Sequence, residues 1–195
     1  MNIFYLDKDP IKAAQMSCDK HCVKMIVESA QMLSTAHRMI DGNLYTDKTK
    51  AGRKIKRWKH PNPNMEKTLY KACHTGHPST VWVMESAYNY HWLYRHMMAL
   101  NTEFKMRYGH ILDHKTIQLL EGPLMYPPRN ISLNTIATDP PPAMPEYCKI
   151  KGDSVASYKK YYIYEKQRFA TWKSPSTVPA WYIDGVKEAQ EQALI

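Results

Sequence analysis

The chain has 195 residues and a formal charge of +9, from 27 basic against 18 acidic residues, and although it is 44% hydrophobic it holds no apolar run long enough to cross a bilayer. The opening MNIFYLDKDP lacks the basic flank and apolar stretch of a secretory signal, and four cysteines (Cys18, Cys22, Cys73 and Cys148) are too few and too irregular for a disulfide framework. A cytoplasmic protein of one domain, 1–195, with no membrane partner is therefore expected, and its basic balance favours nucleic acid, DNA first, over acidic partners.

In chain order, Asn2–Leu6 is a short apolar run that can be extended, and Asp9-Pro10 offers an N-cap followed by proline at the first helical position. The pattern predicts a helix from there to about Ile40, with a break near Ser17. Along it Ser17, His21, Lys24, Glu28, Gln31, Thr35 and Arg38 recur four and three apart, one polar seam on a helix otherwise apolar over most of its circumference. Such a seam is either a strip that meets water or the wall of a cleft. Residues 42–64 read as a basic loop, with Lys48, Lys50, Arg53, Lys54, Lys56, Arg57 and Lys59 in an acid-free stretch. A short helix over Met65–Cys73 follows, then a second long helix from about Ser79 to Tyr108, ended by Gly109. Asp113–Glu121 reads as a third. Residues 122–145 hold most of the prolines and must be extended. Behind the N-cap Asp153, Ser154–Trp172 is helical in pattern, with most of its tyrosines assigned to the core, and Val186–Ile195 closes the chain as a short helix. The expected fold is all-α, a compact bundle of about three long helices with a basic loop and a proline-rich extended segment.

Chemistry concentrates on the first helix. An apolar surround raises the pKa of a carboxylate and depresses that of an amine, which suits Glu28 for proton transfer and Lys24 for nucleophilic attack, with His21 one turn away. Gln31 can read a base edge and Arg38 can meet a phosphate. Arg53, Lys54, Lys56, Arg57 and Lys59 form a phosphate grip in which Trp58 stacks on an exposed base. No cofactor and no metal ligand is assigned, although Cys18 and Cys22 with Cys73, His74 and His77 offer an alternative zinc set if the two segments meet. His77-Pro-Ser79 and His114-Lys-Thr116 share a His-x-Ser/Thr spacing found in phosphoesterases.

The opening Met1-Asn2-Ile3-Phe4-Tyr5-Leu6-Asp7, the helix holding Glu28-Ser29-Ala30-Gln31, and the later His77-Pro78 leading a long helix together resemble the pyrimidine-dimer DNA glycosylases of the endonuclease V type. The aromatic pair Trp181-Tyr182 is similar to that family's C-terminal aromatic stretch. The resemblance implies an all-helical basic protein that repairs DNA as a glycosylase and lyase. In it Glu28 is the catalytic carboxylate, and the chain's N-terminal amine, that of Met1, attacks the sugar carbon to form an imine. A non-enzymatic nucleic-acid-binding protein and an enzyme of nucleotide metabolism remain the alternatives.

Overall fold

The computed structural model describes residues 1–193, so the last two residues of the expected closing helix lie outside it. The chain forms α1 (Pro10–Met16), α2 (Asp19–Asp41), β1 (Asn43–Lys48), β2 (Lys54–Lys59), α3 (Pro63–Thr68), α4 (Pro78–Glu85), α5 (Ala87–Tyr108) and α6 (Lys115–Leu124). A 3-10 turn (Glu146–Cys148), α7 (Ser154–Glu165) and α8 (Ala180–Ala193) complete it. This overturns the expected bundle of about three long helices. Among the described residues there are eight helices and a two-stranded antiparallel hairpin, a mixed α/β fold.

The long helices divide where groups distant in the chain hydrogen-bond the backbone: Arg107 and the Thr171 carbonyl between α1 and α2, and the Ser132 carbonyl, which accepts from the Ala87 N–H at 2.8 Å, between α4 and α5. Ser17 and Cys18 are extended between α1 and α2; the Ser17 carbonyl accepts from Arg107 at 2.7 Å, and the Asp19 N–H donates to the Thr171 carbonyl at 2.8 Å. Ser86 is extended between α4 and α5 (φ −157°, ψ 157°) and caps α5 by accepting from the Asn89 N–H at 3.2 Å. Asn89 Nδ2 then satisfies the Trp82 carbonyl at 2.9 Å, one of the orphans at the end of α4. The two His-x-Ser/Thr motifs have the same capping role: Nδ1 of His77 and of His114 each accepts the backbone N–H two residues on, at 3.2 Å. Gly109, at φ 66°, ends α5 in the left-handed conformation expected of it.

The basic loop is a hairpin for most of its length, in register from Asn43↔Lys59 to Lys48↔Lys54. Lys54, Lys56 and Trp58 share one face of β2, and Ile55, Arg57 and Lys59 the other. Where the chain leaves α2 for the hairpin only glycine fits: a Cβ on Gly42 would lie 2.2 Å from the Arg38 carbonyl oxygen.

The core lies between α2 and α5, flanked by α1, α4 and α6, with Trp82, Tyr90, Tyr158 and Tyr162 fully buried. The proline-rich segment is largely without regular structure and is pinned over this core. Trp82 Nε1 donates to Thr138 Oγ1 at 3.0 Å, Tyr5 to Asp139 at 3.1 Å, and Ser154 to the Pro140 carbonyl at 2.7 Å. No helix among the described residues is long and apolar enough to cross a membrane.

Candidate active site at the N-terminus

Residues Asn2–Leu6 are buried, threaded between the helices rather than laid on the surface. Phe4 adopts φ 56°, a left-handed conformation rare for a bulky residue, and its carbonyl accepts from the Leu6 N–H at 2.9 Å in a tight turn. The turn sets the Phe4 ring 3.9 Å from that of His21, nearly parallel, and against Tyr162 edge-on. Upstream, Asn2 is fixed at both ends: Nδ2 donates to the Ala143 carbonyl at 2.9 Å, and Oδ1 accepts from the Ile3 N–H at 2.8 Å.

The consequence is the placement of the first amine. The Met1 α-ammonium stands 3.5 Å from Glu28 Oε2, and the Asn2 N–H donates to that same oxygen at 2.9 Å. The Met1 side chain is only 2% exposed while the residue as a whole is partly accessible, so its accessible portion is the backbone end that carries the amine. Lys24 Nζ lies 3.2 Å from Glu28 Oε1. Glu28 thus holds two amines, one on each oxygen. The Lys24 side chain is 63% exposed, so the apolar shielding expected of the seam does not extend to it.

His77, Cys73 and Arg57 complete the surroundings. Burial holds the His77 imidazole below its usual pKa, helped by the Met1 ammonium and His74 and opposed by Glu28, which puts these groups in one neighbourhood. With Nδ1 of His77 accepting the Ser79 N–H, the neutral ring carries its proton on Nε2 and can donate from there. Burial pushes the Cys73 thiol up, against the Thr35 hydroxyl, the Met1 ammonium and Arg57. Thr35 accepts the Cys73 N–H at 3.2 Å, so the seam of α2 continues along this wall. Arg57, on the hairpin, is near enough to act on the Cys73 thiol electrostatically, and its buried Nε has no partner.

No protein-family model, curated protein or solved structure matches this chain.

The seam residues divide by depth. Glu28 and Gln31 are half-buried on the wall and Lys24 is at its rim. His21 is buried beneath Phe4 with Nδ1 against the Tyr162 hydroxyl, and desolvation, with Lys166, Lys24 and Lys20 nearby, pushes its pKa down to about 3, so it is a neutral core imidazole. Arg38 is buried with all five donors engaged: by Glu66 Oε2, and by the carbonyls of Tyr70, Trp58, Glu66 and Leu69. It has nothing left to offer a phosphate. Arg53, Lys54, Lys56 and Lys59 are exposed on the hairpin, and Trp58 is half-buried. The alternative zinc set does not assemble. Cys18 and Cys22 are buried free thiols, and among the described residues the one convergent group of three ligand-bearing side chains is His37, Asp41 and His60. Sequence reasoning assigned no site role to Asn2, and gave Cys73 one only as a zinc ligand in a set that does not form; their place beside Met1 and Thr35 is revealed by fold contacts alone. His77-Pro78 did signal itself through its position ahead of a helix.

Proposed function

We propose that this protein is a DNA glycosylase/lyase acting on modified or damaged bases, with the Met1 α-amine as nucleophile and Glu28 as the group that moves its proton. The observation that carries the reading is an N-terminal ammonium held 3.5 Å from a carboxylate that is itself locked by the Asn2 amide. Glu28 takes a proton from the ammonium, and the freed lone pair attacks C1′ of the nucleotide. The C1′–N bond breaks with its electron pair leaving on the base, which takes up a proton. Opening of the C1′–O4′ bond, with protonation of O4′, gives an imine. Loss of a C2′ proton then expels the 3′ phosphate, and water hydrolyses the imine to return the amine. The resemblance to pyrimidine-dimer glycosylases supports the same pair of groups. The exposed lysines of the hairpin supply the phosphate contacts such a substrate needs.

The test is borohydride trapping on ultraviolet-irradiated and untreated labelled duplex DNA. A covalent adduct is expected on the Met1 peptide, identified by mass and so distinguished from one on Lys24. Glu28→Gln is expected to lower turnover roughly 10²–10⁴-fold while DNA binding persists. One residue added ahead of Met1 displaces the amine by about 3.3 Å and should abolish the adduct without unfolding the protein. DNA binding with neither adduct nor strand nick, on irradiated DNA or on DNA bearing other base modifications, would replace this reading with the non-enzymatic one.

A further inference from the structure

A second group of side chains lies on the opposite face of α2, where it has no part in the chemistry above. At about 100° per residue, His37 is half a turn of the helix away from Glu28, and nine residues put it roughly 13 Å along the axis. His37 and Asp41 are one turn apart, and His60 follows β2 directly, so that Asp41 and His60 stand at the two feet of the basic hairpin. Their ligand atoms all lie within 4.8 Å of one another, at a cavity of about 630 Å³ lined also by Met65, Tyr126 and Arg129.

Each group has capacity left over. The Tyr90 hydroxyl donates to the Leu124 carbonyl at 2.9 Å, so it must receive from His37 Nε2–H at 3.0 Å, and Nδ1 of His37 keeps its lone pair. The Tyr126 carbonyl lies beside this ring as an acceptor of a ring N–H, a contact that an ion bound at Nδ1 replaces. Asp41 Oδ1 accepts from Asn130 N–H and Nδ2 at 3.0 Å each, and Oδ2 from the Arg129 N–H at 2.8 Å, which leaves one lone pair on Oδ2. His60 is 7% exposed, and its Nε2 is buried with no partner at all. A buried ring nitrogen without a partner, facing a carboxylate and a second imidazole, lacks one component.

We propose that His37, Asp41 and His60 bind a divalent transition-metal ion of the zinc class. Two imidazoles and a carboxylate are a common zinc donor set, with a fourth position left for water. Bonds of 2.0–2.2 Å place tetrahedral ligands about 3.4 Å apart, so the three side chains close inward by about an ångström. In the metal-free protein Nδ1 of His60 accepts a backbone N–H and the ring proton sits on Nε2, so binding the ion through Nε2 moves that proton to Nδ1. The Asn62 backbone N–H, which donates to that atom at 3.2 Å in the metal-free protein, gives up this bond when the ion binds. The Tyr90 hydroxyl, itself anchored on Leu124, is the second layer that orients His37. A metal here ties the end of α2 to both feet of the hairpin, and so fixes the hairpin against the body of the protein. None of this depends on the glycosylase reading.

The experiment titrates the full chain, stripped with chelator, with Zn²⁺ by calorimetry and with Co²⁺ by visible absorption. The expected result is one equivalent bound and intense d–d bands of a four-coordinate ion, without the thiolate charge-transfer band that cysteine ligation through Cys18, Cys22 or Cys73 would give. That spectrum needs no variant. His60→Ala and Asp41→Asn should each weaken Zn²⁺ binding at least tenfold, and Tyr90→Phe by roughly 10–100-fold, with circular dichroism reporting the fold of each. Absence of binding by the folded wild type would show that water fills the site and overturn the proposal. So would a thiolate band, or binding unchanged in folded Asp41→Asn and His60→Ala.

Discussion

Arg107 is the residue whose loss the structure predicts to be most disruptive away from the candidate site. Its side chain is fully buried, and its five donors reach Glu103 Oε2 at 3.0 and 2.8 Å, Asp19 Oδ1 at 3.2 Å, and the carbonyls of Ser17 and Gln15 at 2.7 and 3.0 Å. Arg107→Met keeps the length of the side chain and removes every donor. Asp19 retains the Thr171 hydroxyl and the Lys173 N–H, and Glu103 the Ser176 hydroxyl, but two carboxylates, each 6% exposed, lose their countercharge. Breaking a buried pair in this way costs about 3–5 kcal/mol. With an unfolding entropy near 2.1 cal/mol/K per residue, a chain of this length has about 0.4 kcal/mol/K in total, so Tm should fall by about 7–12 °C. Thermal melts followed by circular dichroism at pH 7 measure this directly. The triple variant Asp19→Asn/Glu103→Gln/Arg107→Met, in which no charge is stranded, should recover more than half of the loss. A fall below about 3 °C for Arg107→Met, or a triple variant no better than the single, would refute the argument that stranded charge is what matters.

Two other outcomes follow from burial and from charge. Desolvation pushes the imidazoles of His21 and His96 down to about 3, against about 6.5 in the unfolded chain. Between those values the unfolded state binds two protons that the native state does not, so their effect is absent above pH 6.5 and stability declines below it. The loss is about 1.4 kcal/mol per pH unit for each ring, or roughly 4 kcal/mol for the pair by pH 5. Burial also pushes His37 down, to about 4, and adds a similar loss over this range. His96 has no partner on either nitrogen, so His96→Leu should remove about a third of the combined slope in urea midpoints measured from pH 7 to pH 5, and an unchanged slope would contradict it. On the hairpin, Lys54→Ala/Lys56→Ala should flatten the dependence of log K for DNA on log salt by about 1.8, whereas Arg38→Gln should leave that slope intact and lower Tm. Equal salt slopes for the wild type and the lysine variant would remove the hairpin from the interface.

What the sequence disclosed was largely local chemistry. Asp9-Pro10, Asp153 and Gly109 mark helix ends because the atoms that satisfy those ends belong to the marking residue or its neighbours. The breaks at Ser17-Cys18 and Ser86 were hidden, or visible only faintly, because the partners that hold them open, Arg107, Thr171 and Ser132, are far away in the chain. The hairpin was missed for a different reason. Strand alternation is read from apolar against polar, and in β2 the cations Lys54, Lys56, Arg57 and Lys59 fall on both faces and mask it. The polar seam itself was legible, but not the roles along it. Which of its members meets solvent depends on what covers each one: Phe4 lies over His21, while Leu69, Tyr70 and Glu66 enclose Arg38. Of the seam residues only those in its middle, Lys24, Glu28 and Gln31, are left accessible.

That uneven covering is also what gives the N-terminus its importance. A free first amine is ordinarily a frayed, solvated group, yet here the next five residues are buried and Phe4 accepts a left-handed backbone that costs roughly 1–3 kcal/mol. The Phe4 ring on His21 and Asn2 on Ala143 are contacts that offset this cost, and both lie in the segment that follows the Asn2 N–H bond to Glu28. A seam glutamate needing only a countercharge already has Lys24 one turn away, on its other oxygen. Threading the start of the chain through the core to bring a second amine to the same carboxylate adds nothing to the pairing of Glu28 that Lys24 does not supply. What it does add is an amine whose position is fixed by the fold, the feature on which the proposed nucleophile rests.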